Sequence, residues 1–202
     1  MTQRFVLATA NPDKAAEITA VLRDAGVGIE LQPGDPSFPP VPETGATLED
    51  NARLKALDAC MRTGLPAIAD DTGLEVDALG GAPGVHTARF AGDDATYDDN
   101  VQLLLERLSG VPPERRTARF ATVAIARWPD GREVAAIGTV EGTIATEPRG
   151  KGGFGYDPVF IPEESAGRTF AEMRADEKDA RSHRGRAFRT LAQGVRAITE
   201  TT

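Results

Sequence analysis

Two adjacent carboxylates, Asp70 and Asp71, follow the apolar run Pro66-Ala67-Ile68-Ala69 and precede Thr72-Gly73. Paired carboxylates beyond the carboxyl end of a strand suit a Mg²⁺ ion that keeps mostly water in its shell, with one of the pair orienting or deprotonating an attacking water. The same tetrapeptide suits an ordinary turn, which favours aspartate. Glu43, Glu49 and Glu75 are further carboxylates, and Glu43 stands out because it lies in an irregular loop beside Gly45.

A second group is Thr9-Ala10-Asn11-Pro12-Asp13-Lys14. Asn11 suits an N-cap and Pro12 the first helical position, so backbone N–H groups and the helix dipole there favour an anion, to which Lys14 adds a full charge. Taken alone, the segment favours a plain helix cap with a solvated lysine. The third group runs from Arg149 through Gly150, Gly152, Gly153, Phe154, Gly155, Tyr156 and Asp157 to Pro158, with Lys178, Ser182, His183 and Arg184 further on. Gly150, Gly152 and Gly155 match G-x-G-x-x-G literally. Pro148 stands where a strand should precede, and Pro158 blocks the helix that should follow, so this is no dinucleotide fingerprint. A glycine loop presenting aromatics and an aspartate suits stacking of a base and reading of its edge, or else a turn with Phe154 tucked into the core. His86 and His183 are the only histidines and Cys60 the only cysteine, too few for a zinc site, and no Ser-His-Asp order is visible.

The elements that must hold these groups are legible in outline. Arg4 to Ala8 reads as a buried strand, and Ile18, Val21, Leu22 and Ala25 trace one face of a helix stopped by Gly26. Ile29 to Leu31 reads as a second strand. Pro33, Pro36, Pro39, Pro40 and Pro42 then dictate a loop reaching Glu43-Thr44-Gly45. Thr47 with Asp50, and Thr96 with Asp99, carry the capping-box pattern ahead of two helices. Between them, Pro66 to Ala69 reads as a strand that gives way to a turn at Asp70 to Gly73, and Leu74 to Ala78 as a second extended piece. Phe120 to Trp128 and Glu133 to Ile144 form a hairpin about Pro129-Asp130-Gly131-Arg132, and Phe188, Leu191, Ala192 and Val195 mark a last helix.

With 202 residues, 40% of them hydrophobic, the chain can bury a full core in one domain. A net charge of −8 argues against nonspecific nucleic-acid binding, so an anionic substrate needs a local basic cluster or a metal ion. No apolar run is long enough to span a bilayer, and the segment from Met1 to Thr9 lacks the form of a signal peptide. A cytoplasmic protein that binds neither nucleic acid nor membrane is expected. Cys60, in an Ala- and Leu-rich stretch, reads as core.

The motifs taken in order resemble the inosine triphosphate pyrophosphatase family, which acts on non-standard purine nucleotides. The resemblance rests on Ala8-Thr9-Ala10-Asn11 with Lys14, Glu43-Thr44-Gly45 with Glu49, Asn51-Ala52, Lys55-Ala56, and the run from Ala69 to Leu79. It continues through Gly81 to Val85, Ala88-Arg89-Phe90, Gly152 to Pro158 and Ser182 to Gly185. It implies an α/β fold with a long twisted mixed sheet flanked by helices, two lobes with a cleft between them, residues 1–202 forming a single bilobed domain, and a homodimer. It also implies Mg²⁺-dependent hydrolysis of ITP, dITP and XTP by attack of water on the α-phosphorus. Thr9, Ala10, Asn11 and Lys14 would hold the triphosphate, Asp71 would act as general base and metal ligand, and Glu43 would assist at the metal. Thr72 stands where a small hydroxyl residue is expected. Phe154 would stack on the purine, with Gly155, Tyr156, Asp157, Lys178, His183 and Arg184 lining the base and phosphate pocket. Donors from His183 or Arg184 to the purine 6-oxygen would then discriminate against adenine. The Ser-x-Ser-x-Arg-Arg start of the related Maf-type enzymes is absent, and a binding-only nucleotide sensor would have no use for Asp70 and Asp71.

Overall fold

The computed structural model describes residues 3–35 and 37–200, so the expectations placed on Met1, Thr2 and Pro36 lie outside the described residues. The seven-stranded mixed sheet has the order β2-β1-β3-β5-β6-β7, with β4 paired to β3, and helices flank it. Its strands are β1 (Gln3–Leu7), β2 (Ile29–Pro33), β3 (Ala67–Val76), β4 (Pro83–Gly84), β5 (Thr117–Arg127), β6 (Glu133–Ile144) and β7 (Phe160–Pro162). The helices are α1 (Pro12–Asp24), α2 (Leu48–Thr63), α3 (Tyr97–Arg107), α4 (Ala175–Arg181) and α5 (His183–Glu200). β1 pairs in parallel with β2 and β3, whereas β4 and β7 pair antiparallel with their neighbours. The described residues divide into two compact units, the first comprising those up to 71, 122–138 and 183–200 and the second 72–121 and 139–182.

In the first unit α1 starts as its sequence dictates. Asn11 Oδ1 accepts from the N–H groups of Asp13 (2.9 Å) and Lys14 (3.2 Å), with Pro12 at the first helical position. Ile18, Val21 and Leu22 then face Phe5 and Leu7 of β1 and Phe188, Leu191 and Val195 of α5 in one cluster. Each such side chain, fully buried, contributes roughly 1.5–3 kcal/mol. The opposite face carries α2, which begins with the capping box of Thr47 and Asp50 and ends at Gly64 with φ of 67°. Its inner face is small: Ala52 and Ala56 meet Ala69, Val123 and Ile125. Cys60 is core, its thiol donating to the Arg127 carbonyl at 3.1 Å.

In the second unit α3 carries the Thr96–Asp99 capping box and packs Val101 and Leu104 among Leu74, Val76, Phe120, Phe160 and Phe170. A buried arginine ties the end of this helix to the chain that follows it and to the end of β6. Arg116 donates to the carbonyls of Leu108, Val111 and Ala145 at 2.9–3.0 Å.

The expected break at Asp70 to Gly73 is absent. β3 runs unbroken from Ala67 to Val76 and carries both aspartates inside the strand, and only Asp77–Leu79 turns, as a single 3₁₀ turn. Aspartate disfavours a strand chiefly through its unpaired charge and local hydrogen bonding. Here both charges are met by cations from distant parts of the chain. No helix among the described residues is long and apolar enough to cross a membrane.

Candidate active site

The alternation of a strand sorts the two aspartates to opposite faces. Asp70 shares the face of Ile68, under α1 and α5, while Asp71 shares the face of Ala69, under α2. On the first face Lys14 Nζ lies 3.1 Å and Arg184 Nε 3.6 Å from Asp70 Oδ2. Asp70 is 1% exposed. Burial raises its pKa, but Lys14, Arg184 and Lys55 outweigh that and hold the carboxyl well below the usual range. Lys14 answers in kind: burial lowers its pKa, and Asp70 only partly restores it. The Arg184 guanidinium is gripped from a second side by Glu17, one turn beyond Lys14 on α1, at 2.5 Å.

On the second face one ammonium bridges two carboxylates. Lys55 Nζ donates to Glu43 Oε1 at 2.8 Å and to Asp71 Oδ1 at 2.9 Å, and Asn51 Nδ2 donates to Asp71 Oδ2 at 3.2 Å. The Asn51 side-chain oxygen in turn accepts from the N–H of Gly45 at 2.8 Å, which ties the proline-rich loop to the first turns of α2. A Cβ at Gly45 would overlap Asp50 and Asn51, so this approach demands glycine. Burial raises the pKa of Asp71 and is only partly offset by Lys55 and Lys14. Burial opposes the charge on Lys55 too, but Asp71, Asp70 and Glu43 raise its pKa on balance. Glu43 and Asp71 thus share a single cation position. Such a pair fits a hard divalent ion with a largely aqueous shell, although the described residues contain no cluster of three or more His, Cys, Asp or Glu of the kind that holds a metal without water.

The second unit holds the aromatic group. Phe154 sits half-buried in the glycine loop, its N–H donating to Asp157 Oδ2 at 2.7 Å. Lys178 Nζ donates to the same Asp157 oxygen at 2.5 Å and lies 4.7 Å from the Phe154 ring centroid. Gly153 adopts φ of 68°, and a Cβ there would overlap the Asp157 carboxylate. The loop is therefore built around Asp157.

The structure brings Asn11, Lys14, Glu43, Asp71 and Arg184 together with Asp70 in the first unit, and Phe154, Asp157 and Lys178 together in the second. Thr9 Oγ1 accepts from the N–H of Asn11 at 3.2 Å, Ala10 is exposed beside it, and Thr72 is half-buried at the start of the second unit. His183 is buried at the start of α5, in the first unit. Gly155 flanks the ring with φ of 61°. Tyr156 points away from this group: it is 4% exposed in the core of the second unit, where its hydroxyl donates to the Thr87 carbonyl. Three residues were not singled out for roles by the sequence reading. Asn51 and Lys55, one helical turn apart on α2, stand in motifs of the family resemblance without an assigned role, and Glu17 follows Lys14 by three, so helical spacing was the available signal for it.

A mixed α/β sheet whose central strand presents paired carboxylates to buried cations, beside a helix N-terminus, has the groups that an enzyme acting on anionic substrates requires. The chain belongs to the Ham1 family, whose model matches residues 5–194. It is 49% identical to a dITP/XTP pyrophosphatase of Symbiobacterium thermophilum, over 98% of both chains. It is 47% identical to the protein of the same name from Streptomyces coelicolor, over 96% of this chain and 98% of that one. A solved HAM1 protein from Coxiella burnetii matches with a TM-score of 0.86 and 42% identity, over 98% of this chain and 100% of that one. The sequence resemblance to inosine triphosphate pyrophosphatases is thereby borne out at the level of family and fold.

Proposed function

We propose that this protein hydrolyses dITP, ITP and XTP to the nucleoside monophosphate and pyrophosphate with Mg²⁺, and so removes non-standard purine nucleotides from the cytoplasmic pool. The observation that carries the reading is the convergence of Glu43 and Asp71 on one cation position, with Lys14 and Arg184 held against Asp70 on the other face of the same strand. The names and close similarity of the relatives support the substrate class.

Phosphoryl chemistry asks mainly for charge neutralisation and in-line placement. Lys14, Arg184 and the N–H groups at the start of α1 supply the first for a triphosphate. Arg184 thereby takes a phosphate-side task instead of the base-reading one, because it is clamped between Glu17 and Asp70. Glu43 and Asp71 would hold Mg²⁺, which when bound would neutralise phosphate charge and lower the pKa of water. Asp71, its basicity raised by burial, accepts the proton of the attacking water, and Asn51 fixes the orientation of its other oxygen. Phe154, backed by Asp157 and Lys178, receives the purine ring. The active form is a homodimer of the single 202-residue domain, with no nucleic-acid or membrane partner.

Purified protein assayed with Mg²⁺ against ITP, dITP, XTP, GTP and ATP should turn over the first three with the highest kcat/KM. Asp71→Asn should lose nearly all turnover with the fold intact. Equal turnover of all five nucleotides, or full activity in Asp71→Asn, would contradict the proposal.

A further inference from the structure

The first residue of α3 brings a second ring to the Phe154 group. Tyr97 lies 5.8 Å from Phe154, centroid to centroid, with the ring planes inclined by 38°. Exposed large apolar side chains are few among the described residues, and Tyr97, at 41% exposure, is one of them. Its position is built. The Thr96 hydroxyl accepts from the Asp99 N–H at 3.2 Å, and Asp99 Oδ2 accepts from the Thr96 N–H at 2.8 Å and from its hydroxyl at 2.6 Å, so the helix start cannot drift. Phe154, by contrast, rides on a loop with positive φ at Gly153 and Gly155; Asp157 holds its backbone, and Lys178 Nζ lies 4.7 Å from its ring centroid. A ring anchored to a capped helix against a ring on a glycine loop is an arrangement in which the first orients the second.

We propose that Tyr97 is a positioning residue for base recognition: its ring sets the plane of Phe154 and so strengthens binding of the purine. The inference rests on the reading of Phe154 as the surface that receives the base. Tilted aromatic pairs of this geometry couple by an amount equivalent to roughly 2- to 12-fold in affinity. The effect is assigned to the ring, which Tyr97→Phe retains.

The experiment compares Tyr97→Ala, Tyr97→Phe, Phe154→Ala and the double Ala variant, with Mg²⁺ present. It reads KM and kcat for XTP and the inhibition constant of inorganic tripolyphosphate, which has no base. Tyr97→Ala should raise KM for XTP about 2- to 12-fold, with kcat within about twofold and tripolyphosphate inhibition unchanged. Tyr97→Phe should behave as the unaltered protein, and the double variant should bind XTP no worse than Phe154→Ala alone, since Tyr97 acts through that ring. An unchanged KM in Tyr97→Ala overturns the proposal. So does a parallel weakening of XTP and tripolyphosphate, which marks a general structural effect, or a loss in Tyr97→Phe equal to that in Tyr97→Ala. If Phe154→Ala itself binds XTP normally, the base-platform reading fails and the proposal falls with it. If Phe154→Ala is impaired and Tyr97→Ala is not, only the role of Tyr97 is lost.

Discussion

Asp70→Asn is the sharpest test of how this site is held together. The change is nearly isosteric, but it leaves Lys14 Nζ, 3.1 Å away, and Arg184 Nε, 3.6 Å away, without the carboxylate that both address. Removing one partner of a buried ion pair costs about 3–5 kcal/mol, because the remaining charge stays desolvated. Two features set the lower end of that range here. The Lys14 side chain keeps 18% exposure and can recruit water, and Arg184 retains Glu17. A loss of about 3 kcal/mol is therefore expected, a large share of the roughly 5–15 kcal/mol that stabilises a typical domain. For a chain of this size the melting temperature should fall by about 6–12 °C. Urea unfolding at pH 7, followed by far-UV circular dichroism, measures it. A change below about 1 kcal/mol would refute the claim that Asp70 serves as the buried counter-ion of the site.

The same carboxylate has a pH signature. Its folded-state pKa lies below the ordinary 3.8, so its contribution is fully present above that value and is lost as pH falls below it. The stability difference between the unaltered protein and Asp70→Asn, constant from pH 5 to 7, should therefore begin to shrink below about pH 4 and go on shrinking as pH falls toward the folded-state value in urea titrations; a gap that stays undiminished from pH 4 down to pH 2 would contradict this sign. Lys55→Met should destabilise the metal-free protein by about 3 kcal/mol, since Glu43 and Asp71 lose their shared ammonium, and Mg²⁺ should raise its melting temperature more than it raises that of the unaltered protein. Equal shifts on adding Mg²⁺ would separate Lys55 from the metal position. Glu17→Gln keeps a hydrogen bond to Arg184 but not its charge, and should lower kcat/KM for XTP about fivefold, mainly through KM. An unaltered KM would show that Glu17 does not hold Arg184 for substrate.

What was legible in the sequence was local. Asn11 and the two capping boxes act on backbone groups within a few residues, so the helix starts at Pro12, Leu48 and Tyr97 could be read from spacing alone. The path of β3 could not. Two adjacent aspartates break a strand unless their charges are met, and the groups that meet them, Lys14, Lys55 and Arg184, lie 56, 16 and 114 positions from their partners Asp70, Asp71 and Asp70. The setting of Arg184 was hidden for the same reason. His183 and Arg184 read as lining the base and phosphate pocket, and only the packing of α5 against α1 sets Arg184 against Asp70 beside Lys14. Tyr156 carried the aromatic signal of its neighbour Phe154, but Gly155 turns the chain between them and sends the tyrosine to the core.

The most direct test of the central claim is hydrolysis of XTP in ¹⁸O-water with Mg²⁺, the products being separated and weighed by mass spectrometry. Attack at the α-phosphorus, as proposed for the water activated by Asp71, places one ¹⁸O in the xanthosine monophosphate and none in the pyrophosphate. Label in the pyrophosphate, or release of orthophosphate and the nucleoside diphosphate as primary products, would contradict it.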